Sequence, residues 1–287
     1  MRLSNNAPNA MKRLALIILM ATTMTLVSCN DNSLTFMSFN IRYNGVWEDD
    51  GENAWQYRRD AVATMILKEN PDAVGMQEVL PDQMAYLDSV LGCEYQRIGV
   101  GRDDGDTLGE SMCIYYKSDR LKLIGWHTYW LSETPDSVSY GWDAACRRTV
   151  TVGTFEDVHT GKNFTYMNTH LDHIGKVARM NSVKQLCTLA DQCEGPVLLG
   201  GDMNSGIDDS IFMPLKGMGL LSARDIAPTS DTAYTFTGFG KCNPSRIDHY
   251  FVRGWDVLSF RTLNGDYGVP YISDHYPIEV VLRFAAR

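Results

Sequence analysis

The order of apolar and amphipathic segments from Leu34 onward constrains the fold of this chain most strongly. Short segments rich in Val, Ile, Phe and Tyr, a composition typical of strands, alternate early with amphipathic stretches and later follow one another in series. Such an order favours two sheets packed together with helices outside. No linker, low-complexity tract or internal repeat interrupts it. We therefore predict a single domain over 34–287.

Apolar and amphipathic segments, and the Pro- or Gly-containing segments between them, give the bounds of the predicted strands and helices. The predicted strands span 34–41, 73–77, 111–117, 121–129, 149–156, 163–169, 197–200, 247–252, 257–263 and 278–284. The predicted helices span 55–69, 81–91 and 176–193, and Pro-containing or Gly-containing segments end the first and the last. In the first helix, apolar Ala61 and Met65 share a spacing of four, as do Val62 and Ile66, which predicts one buried face.

Residues 1–28 have the features of an export signal. An apolar run from Leu14 to Met20 follows two basic residues, and the segment from Leu26 to Cys29 ends it with small residues. Threonines break the run before it reaches the ~20 apolar residues of a transmembrane helix. We predict a lipoprotein signal peptide over 1–28, a lipid on Cys29 and a tether over 29–33. The protein would then be exported and lipid-anchored to the bacterial cell envelope, on its periplasmic or surface side. An ordinary signal peptide or one buried cysteine is the alternative.

The charge balance bears on the partners. The chain has 26 Lys and Arg against 35 Asp and Glu, a formal net charge of -9. Affinity for long nucleic acids comes largely from Lys and Arg that neutralise phosphates, and no basic stripe with interleaved aromatic residues is present. A phosphorylated small molecule, sugar or lipid headgroup is easier to accommodate than nucleic acid. We expect a monomer.

Polar pairs follow two of the predicted strands. Asp202 and Asn204 stand two residues apart just after an apolar strand, so in an extended conformation both side chains point the same way. Asn168 and His170 repeat this spacing. For either pair alone, turn chemistry is the competing explanation, because Asp and Asn often bond their own backbone.

Further polar residues complete a pattern that suits phosphate-ester hydrolysis. Asn40 lies in FMSFNIR, Glu78 in GMQEV, Asp248 in SRIDHYF, and Asp274 and His275 in SDHYP. Hydrolysis requires a neutralised phosphate charge and a water aimed at phosphorus, and hard oxygen donors suit Mg²⁺ or Mn²⁺. A carboxylate such as Asp248 would fix the tautomer of His275. The joint presence of these motifs in this order predicts a phosphate-hydrolysing site.

These motifs resemble those of the endonuclease/exonuclease/phosphatase superfamily, which has the fold of DNase I and the abasic-site endonucleases. The similarity covers nearly everything from Leu34 to Phe284. The segments VGRDDGDTLGES, YWLSETP and GWDAACRR resemble an uncharacterised bacterial and fungal branch near the deadenylase-like members. The resemblance implies an α/β (α+β) fold, a four-layer sandwich of two packed, mainly antiparallel sheets flanked by helices. It also implies a divalent-metal site between the loop ends of the sheets.

Three groups of site residues follow. The residues expected to bind Mg²⁺ or Mn²⁺ are Asn40, Glu78, the principal ligand, and Asp274. The residues expected to act on the water and the transition state are Asp202, Asn204, Asp248, His275, and His170 with Glu110 as its carboxylate partner. The residues expected to bind the substrate phosphate are Arg148 and Asn168. For Glu110 a solvated turn, and for Arg148 a surface salt bridge, are the alternatives.

The sequence therefore predicts a divalent-metal-dependent phosphoesterase. Its substrate would be a phosphodiester or phosphomonoester of a small or membrane-proximal molecule. A surface or periplasmic nuclease acting on DNA or RNA is the alternative enzyme. A non-catalytic binding lipoprotein is a third hypothesis, which the presence of every expected site residue disfavours.

Overall fold

The computed structural model describes residues 32–45 and 50–286. The predicted signal peptide, the predicted lipid-bearing Cys29 and most of the predicted tether lie outside the described residues. Within the described ranges, no helix combines the length and the hydropathy that a membrane crossing needs.

Twelve strands and five α-helices follow one another along the described residues. The strands are β1 (Ser33–Asn40), β2 (Ala73–Gln77), β3 (Tyr95–Ile98), β4 (Ile114–Lys117), β5 (Leu121–Trp130), β6 (Thr149–Asp157), β7 (Lys162–His170), β8 (Val197–Asp202), β9 (Leu221–Ser222), β10 (Asp248–Arg253), β11 (Trp255–Thr262) and β12 (Ile278–Phe284). The helices are α1 (Trp55–Glu69), α2 (Pro81–Leu91), α3 (Lys176–Asp191), α4 (Met213–Gly217) and α5 (Ala223–Ile226).

The strands form two six-stranded sheets. Their orders are β11-β12-β1-β2-β4-β3 and β5-β6-β7-β8-β10-β9. Neighbouring strands run antiparallel except in two pairs, β1 with β2 and β7 with β8. Helix α1 packs Val62 and Ile66 on the outer face of the first sheet, and α3 packs Val183 and Leu186 on that of the second. The predicted sandwich of two mainly antiparallel sheets flanked by helices is confirmed.

Aromatic rings fill the space between the two sheets. Phe36 of β1 lies edge-on to Phe164 and Tyr166 of β7, with ring centroids 5.6 Å apart in both pairs. The Tyr166 hydroxyl donates to the Met37 carbonyl at 3.2 Å and lies 3.1 Å from the hydroxyl of Tyr250. Burying one ring of this size contributes about 1.5–3 kcal/mol. The contacts fix the separation of the sheets, and with it the spacing of the strand ends.

The sheet topology gathers the polar motifs at one edge. Asn40 ends β1 and Glu78 follows β2, its parallel neighbour. In the second sheet Asp202 is the register partner of His170 on one side and of Asp248 on the other. Since β10 runs antiparallel to β8, the start of β10 meets the end of β8. Strand pairing alone thus brings these polar residues, which are distant in the sequence, to the same edge of the two sheets.

Candidate active site

A cavity of about 570 Å³ opens at this edge, between the ends of the two sheets. Its lining combines carboxylates, imidazoles and guanidinium groups with a few apolar side chains. The lining residues are Arg42, Tyr43, Glu78, Arg102, Glu110, Cys146, Arg148, His170, His173, Asp202, Asn204, Phe236, Ile247, Asp274 and His275. The cavity therefore holds most of the predicted site residues.

Asp202 lies at the centre of the polar network. One carboxylate oxygen accepts from the Asn204 backbone N–H at 2.9 Å, and the other accepts from the Asn40 amide at 3.0 Å. That second oxygen is also 3.4 Å from Nε2 of His170 and 3.6 Å from Nε2 of His275. Asp202 thus contacts groups contributed by both sheets.

Burial raises the pKa of Asp202 to about 7, a rise that His275 opposes and Asp248 reinforces. A carboxylate with a pKa near neutrality can accept a proton at that pH and release it again. The pKa of Asp202 is therefore suited to a general base. Its carboxylate also contacts the imidazole rings of both His170 and His275.

His275 is held by Asp248, as the sequence led us to expect. Nδ1 of the ring lies 2.9 Å from Oδ2 of Asp248, and because a carboxylate only accepts, Nδ1 carries the proton. The Phe236 ring covers the imidazole at a centroid distance of 4.9 Å. Burial by itself would lower the pKa of His275, but the charges of Asp248 and Asp202 outweigh it and raise the pKa well above its usual value. These two charges therefore favour the protonated, cationic form of the buried His275 ring.

His170 differs from the sequence prediction in its partner. Its Nε2 accepts from the Asn204 amide at 3.0 Å, while its Nδ1 has no hydrogen-bond partner among the described residues. Burial, together with nearby Arg148 and Arg102, lowers its pKa well below the usual value, so the ring is neutral.

The expected partner of His170, Glu110, is instead bound to Arg102. Both oxygens of Glu110 accept from this guanidinium, at 2.7 and 2.9 Å. The predicted pairing of Glu110 with His170 is therefore wrong, because the hairpin that carries Glu110 supplies a cation of its own. The Arg102 backbone N–H donates to the Glu110 carbonyl at 3.0 Å, which sets the two side chains opposite each other.

Of the residues predicted to bind a metal, Glu78 and Asp274 line the cavity and Asn40 contacts Glu78. Glu78 adopts a left-handed backbone conformation (φ 64°), and its carboxylate accepts from the Asn40 amide at 2.9 Å and from the Tyr43 backbone N–H at 3.0 Å. A non-glycine residue with this φ is uncommon and favours a functional explanation. The Asn40 amide nitrogen joins Glu78 to Asp202, and the Asn40 oxygen accepts from the Arg42 backbone N–H at 3.0 Å. The expectation that Asn40 is a metal ligand is therefore not met, because its nitrogen and not its oxygen faces the two carboxylates.

These donors fit a hard divalent cation. Burial raises the pKa of Asp274; His275 opposes the rise and Glu78 adds to it. Ligand atoms of Glu78, His170 and Asp202 lie within 4.8 Å of one another. The two carboxylates of this group are the hard oxygen ligands that Mg²⁺ and Mn²⁺ prefer. A cation here would add to the compensation that Arg42 and His275 already give Asp274.

Asn168 is a correction to the predicted set. It is fully buried, its amide nitrogen donates to the carbonyls of Met76 and Cys113, both at 2.8 Å, and its oxygen accepts from Gln77 at 2.7 Å. It faces the same side of β7 as His170, but two residues along a strand span about 6.6 Å. Asn168 therefore lies too deep to reach a substrate and instead ties the two sheets together.

Arg148 lies in the wall opposite the carboxylates. It is 5% exposed, so the alternative of a surface salt bridge does not apply. Its Nε donates to Asp172 at 3.3 Å and one terminal nitrogen donates to Nδ1 of His173 at 3.0 Å. The other terminal nitrogen has no hydrogen-bond partner in the part of the chain that the structure describes.

Comparisons with known proteins agree with this geometry. A family model described as "Endonuclease/Exonuclease/phosphatase family" matches residues 37–275. The chain belongs to this family. Family members hydrolyse phosphate esters, and the present chain supplies acidic and histidine side chains that could hold a metal.

Individual family members show the extent of the similarity. The structure of an endonuclease/exonuclease/phosphatase from Bacteroides vulgatus is 35% identical, covers 88% of this chain and 99% of its own, and superposes with a TM-score of 0.83. A mannosyl-6-phosphatase from Bacteroides thetaiotaomicron is 31% identical over 88% of this chain and 100% of its own, with a TM-score of 0.81. Nocturnin from Drosophila melanogaster is 28% identical over 58% of this chain and 27% of its own length. The last similarity agrees with the predicted position near the deadenylase-like members.

Sequence reasoning missed two arginines of this family member's site. Arg102 lies in the glycine-rich segment that ends at Glu110, and the opposite charges eight residues apart on a hairpin were a signal that could have found it. Arg58 of α1 is 1% exposed, and its guanidinium donates to the carbonyls of Asn53, Ile41, Arg42 and Ile272. It joins the loop after β1 to the loop that precedes Asp274. No local pattern identifies it, because its hydrogen-bond acceptors among the described residues are all backbone carbonyls.

Proposed function

We propose that the protein is a phosphoesterase that requires Mg²⁺ or Mn²⁺ and acts on a small phosphorylated substrate. The observation that carries the proposal is the alignment of Asp248, His275 and Asp202 beside the carboxylates of Glu78 and Asp274 in one cavity. A charged imidazole, a carboxylate of near-neutral pKa and a cluster of hard oxygen donors are what phosphate-ester hydrolysis needs.

Each group has a role that its surroundings support. A divalent ion held by Glu78 and Asp274 would neutralise charge on the phosphate oxygens, while the Asn40 amide, which donates to Glu78 at 2.9 Å, would keep that carboxylate in position. Asp202, fixed by the Asn204 backbone N–H, orients the attacking water and accepts its proton. His275, held as a cation by Asp248, stabilises the charge that grows on the phosphoryl oxygens in the transition state.

The opposite wall completes the site. Arg148 binds a phosphate oxygen, since its guanidinium is buried, is held in place by Asp172 and lines the cavity. His170, kept neutral by its surroundings, contacts both Asp202 and Asn204, the two residues that orient the attacking water. Glu110 keeps Arg102 in position beside them.

A sugar phosphate is the substrate class we favour. A relative described as a mannosyl-6-phosphatase is 31% identical over 88% of this chain. The cavity of about 570 Å³ has room for a single such molecule. The net charge of -9 disfavours long nucleic acids. A nuclease remains the competing function, and a binding protein without catalysis is the third outcome.

The test is a comparison of substrates with the purified full chain. Phosphate release from mannose 6-phosphate, cleavage of bis(p-nitrophenyl) phosphate and degradation of single-stranded DNA are measured with Mg²⁺ and with EDTA. We expect the highest kcat/KM for the sugar phosphate, and only with metal. Preferential cleavage of DNA would establish the nuclease instead, and no cleavage of any substrate would favour the binding protein.

We also propose that export and lipid attachment at Cys29 place the enzyme at the bacterial cell envelope. The support is the signal-like segment over 1–28 with its terminal Cys29. Metabolic labelling with a fatty acid should mark the wild-type protein and fail to mark Cys29→Ala. Equal labelling of the two proteins would refute the anchor.

A further inference from the structure

His173 occupies an unusually well-fixed position for an exposed residue. It lies at the mouth of the cavity, in the turn between β7 and α3. The side chain of Asp172 accepts from the backbone N–H groups of Ile174 at 3.0 Å and Gly175 at 2.7 Å. The Asp172 carbonyl accepts from Arg179 at 2.7 Å. The backbone on both sides of His173 is therefore held, and the imidazole projects from a rigid support.

The tautomer of His173 follows from its contact with Arg148. A terminal nitrogen of Arg148 lies 3.0 Å from Nδ1 of His173. A guanidinium can only donate hydrogen bonds, so Nδ1 must offer its lone pair. The proton of the neutral ring is then on Nε2. Among the residues described by the structure, none accepts a hydrogen bond from this Nε2–H.

We propose that His173 selects the leaving group, and that its Nε2–H donates to a hydroxyl oxygen of a sugar or polyol ester. The proposal rests on the proposed phosphoesterase function and names a determinant of its substrate class. Because Arg148 contacts His173 directly, a phosphate bound by Arg148 brings the first atoms of its leaving group to the mouth. A hydroxylated leaving group presents an acceptor there, whereas an aryl group does not.

A purely structural role is the competing explanation. His173 would then serve only as the acceptor that holds Arg148, and every substrate would depend on it equally. Two substitutions separate the roles. His173→Asn places an amide oxygen near the position of Nδ1 and keeps the acceptor for Arg148, but removes the Nε2–H donor. His173→Gln places an amide N–H near the position of Nε2 and keeps the donor.

The experiment measures kcat/KM of the full chain, with Mg²⁺, for mannose 6-phosphate and p-nitrophenyl phosphate. We expect His173→Asn to lower kcat/KM for the sugar phosphate about tenfold, the size of one lost hydrogen bond, and for the aryl phosphate less than about twofold. His173→Gln should keep most of the wild-type ratio between the substrates. His159→Asn is the matched control, because His159 is exposed on the turn at the other end of β7.

An equal loss on both substrates in His173→Asn, or an unchanged ratio, would overturn this proposal while leaving the phosphoesterase function intact. The proposal would also be overturned if His173→Asn kept the wild-type kcat/KM for mannose 6-phosphate while His173→Gln lost it. That result is expected when His173 serves only as the acceptor that holds Arg148. A wild-type protein inactive on both phosphates would overturn the proposed function and this proposal with it. Melting temperatures of all variants confirm that the compared proteins are folded.

Discussion

Asp172 supports the wall that Arg148 and His173 form, and its replacement by asparagine gives a quantitative test. The side chain is 1% exposed and accepts four backbone N–H groups besides the Arg148 guanidinium. These N–H groups belong to Ala145 at 3.1 Å, Cys146 at 3.2 Å, Ile174 at 3.0 Å and Gly175 at 2.7 Å. An amide can satisfy only part of this set, because one of its two ends is a donor.

The size of the effect follows from the pKa. Burial alone would raise the pKa of Asp172, but the N–H donors and Arg148 lower it to about 2, against about 3.9 in an unfolded chain. A difference of this size contributes about 2.6 kcal/mol to folding at pH 7. Because the folded-state pKa is the lower one, this stability is complete above about pH 5 and is lost as the pH falls toward 2. About half of it remains near pH 3.

Urea denaturation of wild type and Asp172→Asn at pH 7 and near pH 3 measures this contribution. We expect a loss of about 2–4 kcal/mol at pH 7 and a clearly smaller loss at the lower pH. Asp209→Asn is the control: Asp209 is an exposed cap that accepts from Ile211 at 3.1 Å, and asparagine caps as well as aspartate. A loss below about 1 kcal/mol, or one that is equal at both pH values, would refute the reasoning.

Two further substitutions separate chemistry from structure. His275→Asn should lower kcat of the folded protein about 100- to 1,000-fold, because it removes a charged transition-state stabiliser; kinetics check this, thermal unfolding measures the folded fraction, and a near wild-type rate would contradict it. Asn168→Ala should instead lower the free energy of unfolding by about 1–3 kcal/mol, since it removes the side-chain donor to the Met76 and Cys113 carbonyls and the acceptor of the Gln77 amide. Its folded fraction should keep the wild-type kcat, and a loss of kcat without a loss of stability would restore Asn168 to the site.

Helices with local signals at their ends were predictable to within two residues. Helix α1 was predicted with the bounds Trp55–Glu69, because a periodic apolar face precedes Asn70-Pro71. Asn70 takes a left-handed conformation (φ 56°) that closes the helix. Strands β3 and β9 were missed because they are four and two residues long and form only by pairing with β4 and β10. The strand predicted over 111–117 begins at Ile114, since Ser111 instead bridges Val79 and Gly101.

Site residues were predictable where strand alternation fixes the side of the sheet on which a side chain lies. They were not predictable where the role depends on the distance from the cavity mouth or on the hydrogen-bond partner. The contact of Asp248 with His275 was expected and is present. For Asn168 the alternation of the strand gives the correct side but not its distance from the mouth. The partner of Glu110 depends on which side chain the hairpin sets opposite it, and this is a property of the turn. Arg58 escapes sequence reasoning for a similar reason, because it is held by carbonyls from separate loops.

The most direct test of the account is metal-dependent release of phosphate from mannose 6-phosphate by the wild-type protein and by Asp202→Asn. We expect EDTA to abolish release by the wild type and added Mg²⁺ or Mn²⁺ to restore it. We also expect Asp202→Asn, with an unchanged melting temperature, to be at least about 100-fold slower at saturating metal. Release that persists in EDTA, or an Asp202→Asn variant as fast as wild type, would contradict the assignment of this cavity as the catalytic site.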